Sequence, residues 1–290
     1  LDTVNVVDAD LALVTSIGVD HADYLGDTRE SVAYEKAGIF RPGKPALCGD
    51  LDPPQPLLDK VRELGCPFFL RGREFNLEIG DRHWQWRGRD ALGLVVELRD
   101  LPLLNLPMEN AALALQAYLL LDLPWQAGQI AATLLATRVV GRLDRRAFDW
   151  HGKRLNLLLD VGHNPHAAQY LAKRLARTPP AGRRLAVFGL LADKDLEGVV
   201  APLLDSVQAW AVAPLDTPRS RPAHELEIAL QNLGVPVASY ASVTAALEAQ
   251  CAVATAEDEI LLFGSFYCVA EALEWLARRS TEEAAHGITG

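Results

Sequence analysis

The sequence contains no C-x-x-C pair. Its four cysteines, Cys48, Cys66, Cys251 and Cys268, stand too far apart for a metal-knuckle spacing and read as reduced thiols of a cytosolic protein. It also has no basic cluster. Lys and Arg number 28 against 38 Asp and Glu, a formal net charge of -10, and that acidic excess argues against a phosphate-backbone binder and hence against a nucleic-acid partner. No apolar run approaches the length that spans a bilayer and no signal-peptide pattern is present, so no membrane partner and a cytoplasmic location are expected. Nor does G-x-G-x-x-G follow the first strand of the alternating second half, which counts against a dinucleotide fold.

What is present is a soluble-protein composition, 50% hydrophobic over 290 residues, enough chain for two domains with cores. The sequence opens at Leu1 without methionine and runs directly into a strand, so residues preceding Leu1 are expected in the gene. The first half reads as strand (9 to 17), helix (to 39), strand (45 to 48), helix (56 to 64) and strand (67 to 70). Asp27 and Glu30 read as the capping box of the first helix. Short alternating runs between Phe75 and Leu98 read as an antiparallel meander, and helices follow from Pro107 and from Gln126. Gly38 to Lys44 matches G-x-x-x-x-G-K, but a helix precedes it and Pro45 stands where a phosphate loop needs a hydroxyl, so it is a look-alike only.

The segment 137 to 144, T-R-V-V-G-R-L-D, suits a hinge and marks a domain boundary, with a first domain to 139, a second over 140 to 279 and a flexible tail from 280 to 290. From there strands and helices alternate, which demands a mostly parallel, Rossmann-like sheet.

The stretch 155 to 168, L-N-L-L-L-D-V-G-H-N-P-H-A-A, reads as a buried strand ending at Asp160, a turn through His163 and Asn164, and a helix with Pro165 at its first position. Ligands bind outside the carboxyl ends of strands in such sheets, and here that place holds a carboxylate, an imidazole and an amide. An ordinary cap at Asn164 with Asp160 as a strand-end acceptor explains the residues equally well. Further polar strand ends are Asp20 and His21, the A-D-K-D run at 192 to 195, and Gly264 with Ser265, where a helix start suits an anion.

Read together, V-T-S-I-G-V-D-H, E-S-V-A-Y-E-K-A-G-I-F-R-P-G-K-P-A, V-G-R-L-D, D-V-G-H-N-P-H-A and F-G-S-F resemble the bacterial folylpolyglutamate synthase/dihydrofolate synthase family of the Mur ligase superfamily, over essentially the whole chain. The resemblance implies an α/β protein: the remainder of a P-loop ATPase-like ligase domain, then a Rossmann-like C-terminal domain with a mostly parallel sheet. Leu1-Asp2 looks like the end of a motif after the family's true P-loop, which would then lie upstream and leave the chain as given an inactive fragment.

The implied activity is ATP-dependent addition of L-glutamate to dihydropteroate and to reduced folates through an acyl phosphate. Magnesium is the implied metal and small molecules are the only implied partners of a monomer. The resemblance further implies His21 as a magnesium ligand and Lys36 as a carbamylated lysine holding a second magnesium ion and acting in catalysis. It implies Asn110, Arg142 and Asp160 at ATP, His163 as a catalytic residue on the glutamate side, Ser265 in the same pocket, and Leu1, Asp2 and Thr3 along the pterin site. The competing expectations are a non-catalytic nucleotide- or folate-binding fragment and another Mur-type ligase.

Overall fold

The computed structural model describes residues 3–18 and 26–287. The chain divides between Thr137 and Arg138 into two compact units.

In the first unit a single 3₁₀ turn, Thr3–Val6, precedes three parallel strands, β1 (Ala12–Val14), β2 (Ala46–Cys48) and β3 (Phe68–Leu70), in that spatial order. Helices α1 (Arg29–Ala37) and α2 (Gln55–Glu63) bury Val32, Ala33, Leu57 and Val61 against Ala12, Val14 and Ala46 of the strands. The capping box of α1 is Thr28 with Ser31, not Asp27 with Glu30. Ser31 N donates to Thr28 Oγ1 at 3.1 Å and Thr28 N to Ser31 Oγ at 3.4 Å. Both pairs have the same three-residue spacing, so sequence spacing does not separate them. The Gly38–Lys44 look-alike caps the carboxyl end of α1 and leads into β2, and Lys44 Nζ pairs with Asp10 at 3.1 Å. It joins a helix to a strand, the reverse of a phosphate loop.

The meander is β4 (Asn76–Ile79), β5 (His83–Arg89) and β6 (Val95–Pro102), all antiparallel. Its period of two sends Trp84 and Trp86 inward onto α3 (Met108–Leu120), where Trp86 Nε1 donates to Ala112 O at 3.0 Å. Helix α4 (Ala127–Ala136) closes the unit.

The second unit is a six-stranded sheet ordered β11-β10-β9-β12-β8-β7. Strands β8 (Lys153–Asp160), β9 (Arg184–Phe188), β10 (Ala209–Val212), β11 (Val237–Ser239) and β12 (Glu259–Phe263) are parallel, and β7 (Asp144–Trp150) lies antiparallel on β8. One face carries α5 (Pro165–Arg177), α6 (Leu196–Val200) and α7 (Ala223–Asn232); the other carries α8 (Val243–Val253) and α9 (Phe266–Gly287). The unbroken apolar run of β8 follows from this double covering: Leu155, Leu157 and Leu159 pack toward α8 and α9, Leu158 toward α5 and α7. Helix α6 stops at Val200 and the chain continues as a 3₁₀ helix to Ser206, because Pro202 has no N–H to extend the α ladder. Helix α9 starts at Phe266 and runs to Gly287, through most of the stretch expected to be a tail. That stretch lacks an apolar period but is rich in alanine and glutamate, which favour helix without one.

Asp258, just ahead of β12, is buried and accepts from Arg183 N at 2.6 Å, Thr255 N at 3.0 Å and Arg183 Nη2 at 3.0 Å. Burial alone would raise its pKa, but these donors hold the carboxyl at about 2, below its ordinary 3.8. A depressed carboxylate stabilises the fold above its ordinary pKa, and that contribution is lost as pH falls through the folded value. It is worth up to about 2 kcal/mol. Acid titration of unfolding stability is expected to show this loss between pH 3.8 and about 2. The loss should be missing in Asp258→Asn, and an unchanged slope in that variant would reject the assignment.

Candidate ligand site at the strand ends of the second unit

Asp160 of β8 pairs in register with Phe263 of β12, which pairs with Phe188 of β9, so three strands end level. The helix after β8 passes to one face and the helix after β12 to the other. The two chains therefore part at their carboxyl ends, and such a switch point is where open α/β sheets take ligands. Gly264, at φ 108°, makes the junction tight, since a Cβ there would stand 2.4 Å from Gly189 O. Only glycine fits.

His163 lies in the turn after β8, half-buried, with its ring centroid 6.1 Å from that of Phe266 at the head of α9. Its Nδ1 is 2.8 Å from Val161 O. A carbonyl only accepts, so Nδ1 carries the proton and Nε2 of the neutral ring is the acceptor nitrogen. Asn164 caps α5, its Oδ1 accepting from Ala167 N at 2.9 Å, and Pro165 takes the first helical position as its sequence suggests. Ser265 is buried and its Oγ accepts from Tyr267 N at 3.2 Å at the start of α9.

Asp160 is 6% exposed. Its Oδ2 accepts from Leu143 N at 3.0 Å and its Oδ1 from Gly162 N at 2.8 Å. Burial pushes its pKa up, while the two backbone donors, the charge of Arg142 and, when its ring is protonated, that of His163 pull against that rise. Arg142 is exposed on the 141–144 turn, its N–H donating to Val139 O at 3.0 Å. Arg142, Asp160, His163 and Ser265 thus share one unit, three of them joined through adjoining turns.

Lys194 belongs to the A-D-K-D run after β9, which the sequence marks as a polar strand end without giving the lysine a role. It is 7% exposed, with Nζ 3.5 Å from Asp193 Oδ2. Arg219 Nη2 holds Asp193 at 3.0 Å, and Arg221 Nη2 donates to Ala192 O at 2.7 Å and to Lys194 O at 2.9 Å. Burial opposes ionisation of Asp193, yet Arg219 and Lys194 keep its carboxyl below the usual range. A lysine just beyond a buried strand was the available signal; its burial depends on two arginines from the loop after β10.

In the first unit Lys36 is half-buried in the last turn of α1, and Asn110 is exposed as the third residue of α3. They belong to elements with different cores. Leu1, Asp2 and His21 lie outside the described residues, and Thr3 begins the 3₁₀ turn. Among the described residues no three His, Cys, Asp or Glu side chains gather to hold a metal. A cavity of about 550 Å³ opens at the opposite edge of the six-stranded sheet, beside Arg145, Asn156, Thr178 and Glu259, away from these strand ends.

Residues 141–266 match the family described as Mur ligase, glutamate ligase domain. The dihydrofolate synthase/folylpolyglutamate synthase of Escherichia coli strain K12 is 42% identical over 281 residues, 97% of this chain and 63% of the relative. The fold agrees with the structure of E. coli FolC in complex with DHPP and ADP, at TM-score 0.83 and 40% identity over 95% of this chain and 63% of that one. It agrees equally, at TM-score 0.83 and 37% identity over 96% and 64%, with a bifunctional folylpolyglutamate synthase/dihydrofolate synthase with Mn, AMPPNP and L-glutamate bound. Residues 141–266 thus carry a Mur ligase glutamate ligase domain, and over 97% of its length the chain is similar to a dihydrofolate synthase/folylpolyglutamate synthase. It spans a little under two thirds of the length of these relatives.

Proposed function

We propose that this chain carries part of an ATP-dependent amide ligase that adds L-glutamate to dihydropteroate and to folates, acting as a monomer in the cytoplasm. Residues 1–139 serve as the C-terminal part of the ATPase domain and 140–279, with the helix that continues to Gly287, as the ligase domain. The convergence of His163 and the head of α9 at the switch point carries this reading. In the reaction an acceptor carboxylate oxygen attacks the γ-phosphorus of ATP and ADP leaves. The neutral amine of glutamate then attacks the acyl carbon, the C–N bond forms, phosphate departs and the nitrogen loses a proton. An imidazole whose Nδ1 is committed to Val161 O offers Nε2 as acceptor for that proton.

His163 and Ser265 then serve the glutamate side, Asn110, Arg142 and Asp160 the nucleotide, and Leu1, Asp2 and Thr3 the pterin. Magnesium at a nucleotide takes one or two protein donors and completes its shell with water and phosphate oxygens, so a three-residue protein cage is not required. A carbamate on half-buried Lys36 would supply an oxygen donor of the kind magnesium prefers, and His21 would add an imidazole nitrogen. When bound, magnesium neutralises phosphate charge.

His163→Ala is expected to raise KM for glutamate about ten- to hundredfold with little change in KM for ATP, the equivalent of one charged hydrogen bond. Steady-state kinetics with each substrate varied, in this chain or in a longer polypeptide containing it, is the measurement. An equal shift for both substrates would remove His163 from the glutamate side.

A further inference from the structure

Two turns that carry proposed ligand-binding residues are fastened to each other through one buried carboxylate. The first is the hinge-like segment Gly141–Asp144. Gly141 O accepts from Val161 N at 2.8 Å, and a Cβ on Gly141 would stand 2.9 Å from Val161 Cγ1 and 3.0 Å from Val269 Cγ1. Leu143 is held at φ 45°, uncommon for a residue with a side chain, and is itself buried in the core on the α5 face. The second is the turn Val161–His163, whose Val161 carbonyl accepts the Nδ1 proton of His163. Asp160 Oδ2 takes the N–H of Leu143 and Oδ1 takes the N–H of Gly162. Arg142 precedes Leu143 and His163 follows Gly162.

We propose that Asp160 is a positioning residue: its carboxylate staples the 141–144 turn to the 161–163 turn, so that Arg142 and His163 are presented as one rigid pair. The unfavourable Leu143 conformation supports this, because strained backbone persists only where the surroundings over-determine it. So does burial, since each N–H would otherwise be an unpaired donor cut off from water. The hinge-like segment consequently belongs to the second unit. The kinetic half of this inference rests on the ligase reading above; the staple itself does not.

The test has two arms. In the first, amide hydrogen exchange is measured on the unmodified chain, where Leu143 and Gly162 are expected to exchange as slowly as the interior of β8; exchange at loop rates overturns the staple and leaves the ligase reading intact. In the second, Asp160→Asn keeps the shape but leaves one N–H facing an amide NH₂. Exchange at one or both amides should accelerate at least about tenfold, and KM for ATP and for glutamate should rise together by roughly tenfold, the loss of one hydrogen bond. Rise of KM for ATP alone, with both amides still protected, would leave Asp160 a nucleotide contact with no stapling role and overturn the proposal. So would lowered thermal stability with both KM values unchanged. If Asp160→Asn does not fold, the exchange rates of the unmodified chain decide.

Discussion

Lys36→Ala is expected to lower ligase turnover by about 10²–10³-fold, the usual cost of removing a group that stabilises charge at a reacting phosphoryl centre. The lysine is half-buried in the last turn of α1, and its neighbour Ala37, not Lys36, fills the core beneath the helix. Truncating it therefore removes little packing, and the change in unfolding free energy should stay within about 0.5 kcal/mol. Loss of rate without loss of stability separates a catalytic role from a structural one. Carbamylation converts an ammonium into a carboxylate-like group, so short carboxylates added to Lys36→Ala should restore part of the rate. The assay belongs in whichever polypeptide shows ligase activity, this chain or a longer one containing it. A variant as active as its parent would take Lys36 out of the site, and failure of rescue with full loss of activity would argue for the unmodified amine.

Glu259→Gln is expected to cost about 3–5 kcal/mol, the range for breaking a buried ion pair on one side. Glu259 opens β12 at 5% exposure, and its Oε1 accepts from Nε of Arg184, itself 2% exposed, at 2.8 Å. Arg145 of β7 pairs with the other oxygen. Arg184 Nη2 also donates to Thr178 O at 3.0 Å, so the cluster ties the end of α5 to the amino ends of β9 and β12 and, through Arg145, to β7. Neutralising the carboxylate leaves the Arg184 cation in the interior facing neutral oxygens only. For a unit of this size the midpoint of thermal unfolding should drop on the order of 10 °C. Denaturant unfolding of both chains at neutral pH is the check, and a loss under about 1 kcal/mol would show that water reaches the cluster. The double variant Glu259→Met, Arg184→Met should recover much of the loss, because the desolvation cost of both ions disappears with them.

The sequence by itself determined the elements of this protein and the places where its chemistry stands. Period-two runs with turn residues between them gave the meander, and apolar runs ending in D-V-G-H-N-P gave β8, its turn and the capped start of α5. These signals are local: a strand buried on both faces must be apolar throughout, and a cap must sit within hydrogen-bond reach of its own helix. The division into two units falls at Thr137, the start of the segment 137 to 144, and leaves Gly141 and Arg142 inside the second unit. The capping box of α1 was placed one residue early because two overlapping pairs carry the same spacing.

Only the tertiary structure decided what those chemical groups hold. That β12 enters the sheet between β8 and β9, bringing Phe266 to His163, is fixed by pairing between strands about 100 residues apart in sequence, which leaves no periodic trace. The same holds for Asp160, whose partner Leu143 is 17 residues upstream, and for Lys194, whose loop is braced by Arg219 and Arg221. Glu259 reads as an ordinary charged residue at a strand start until Arg184 and Arg145 close around it from 75 and 114 residues away. A local pattern records which face of an element is apolar; which distant donor meets a buried carboxylate is settled when the layers pack, because only then does leaving that carboxylate unpaired become costly.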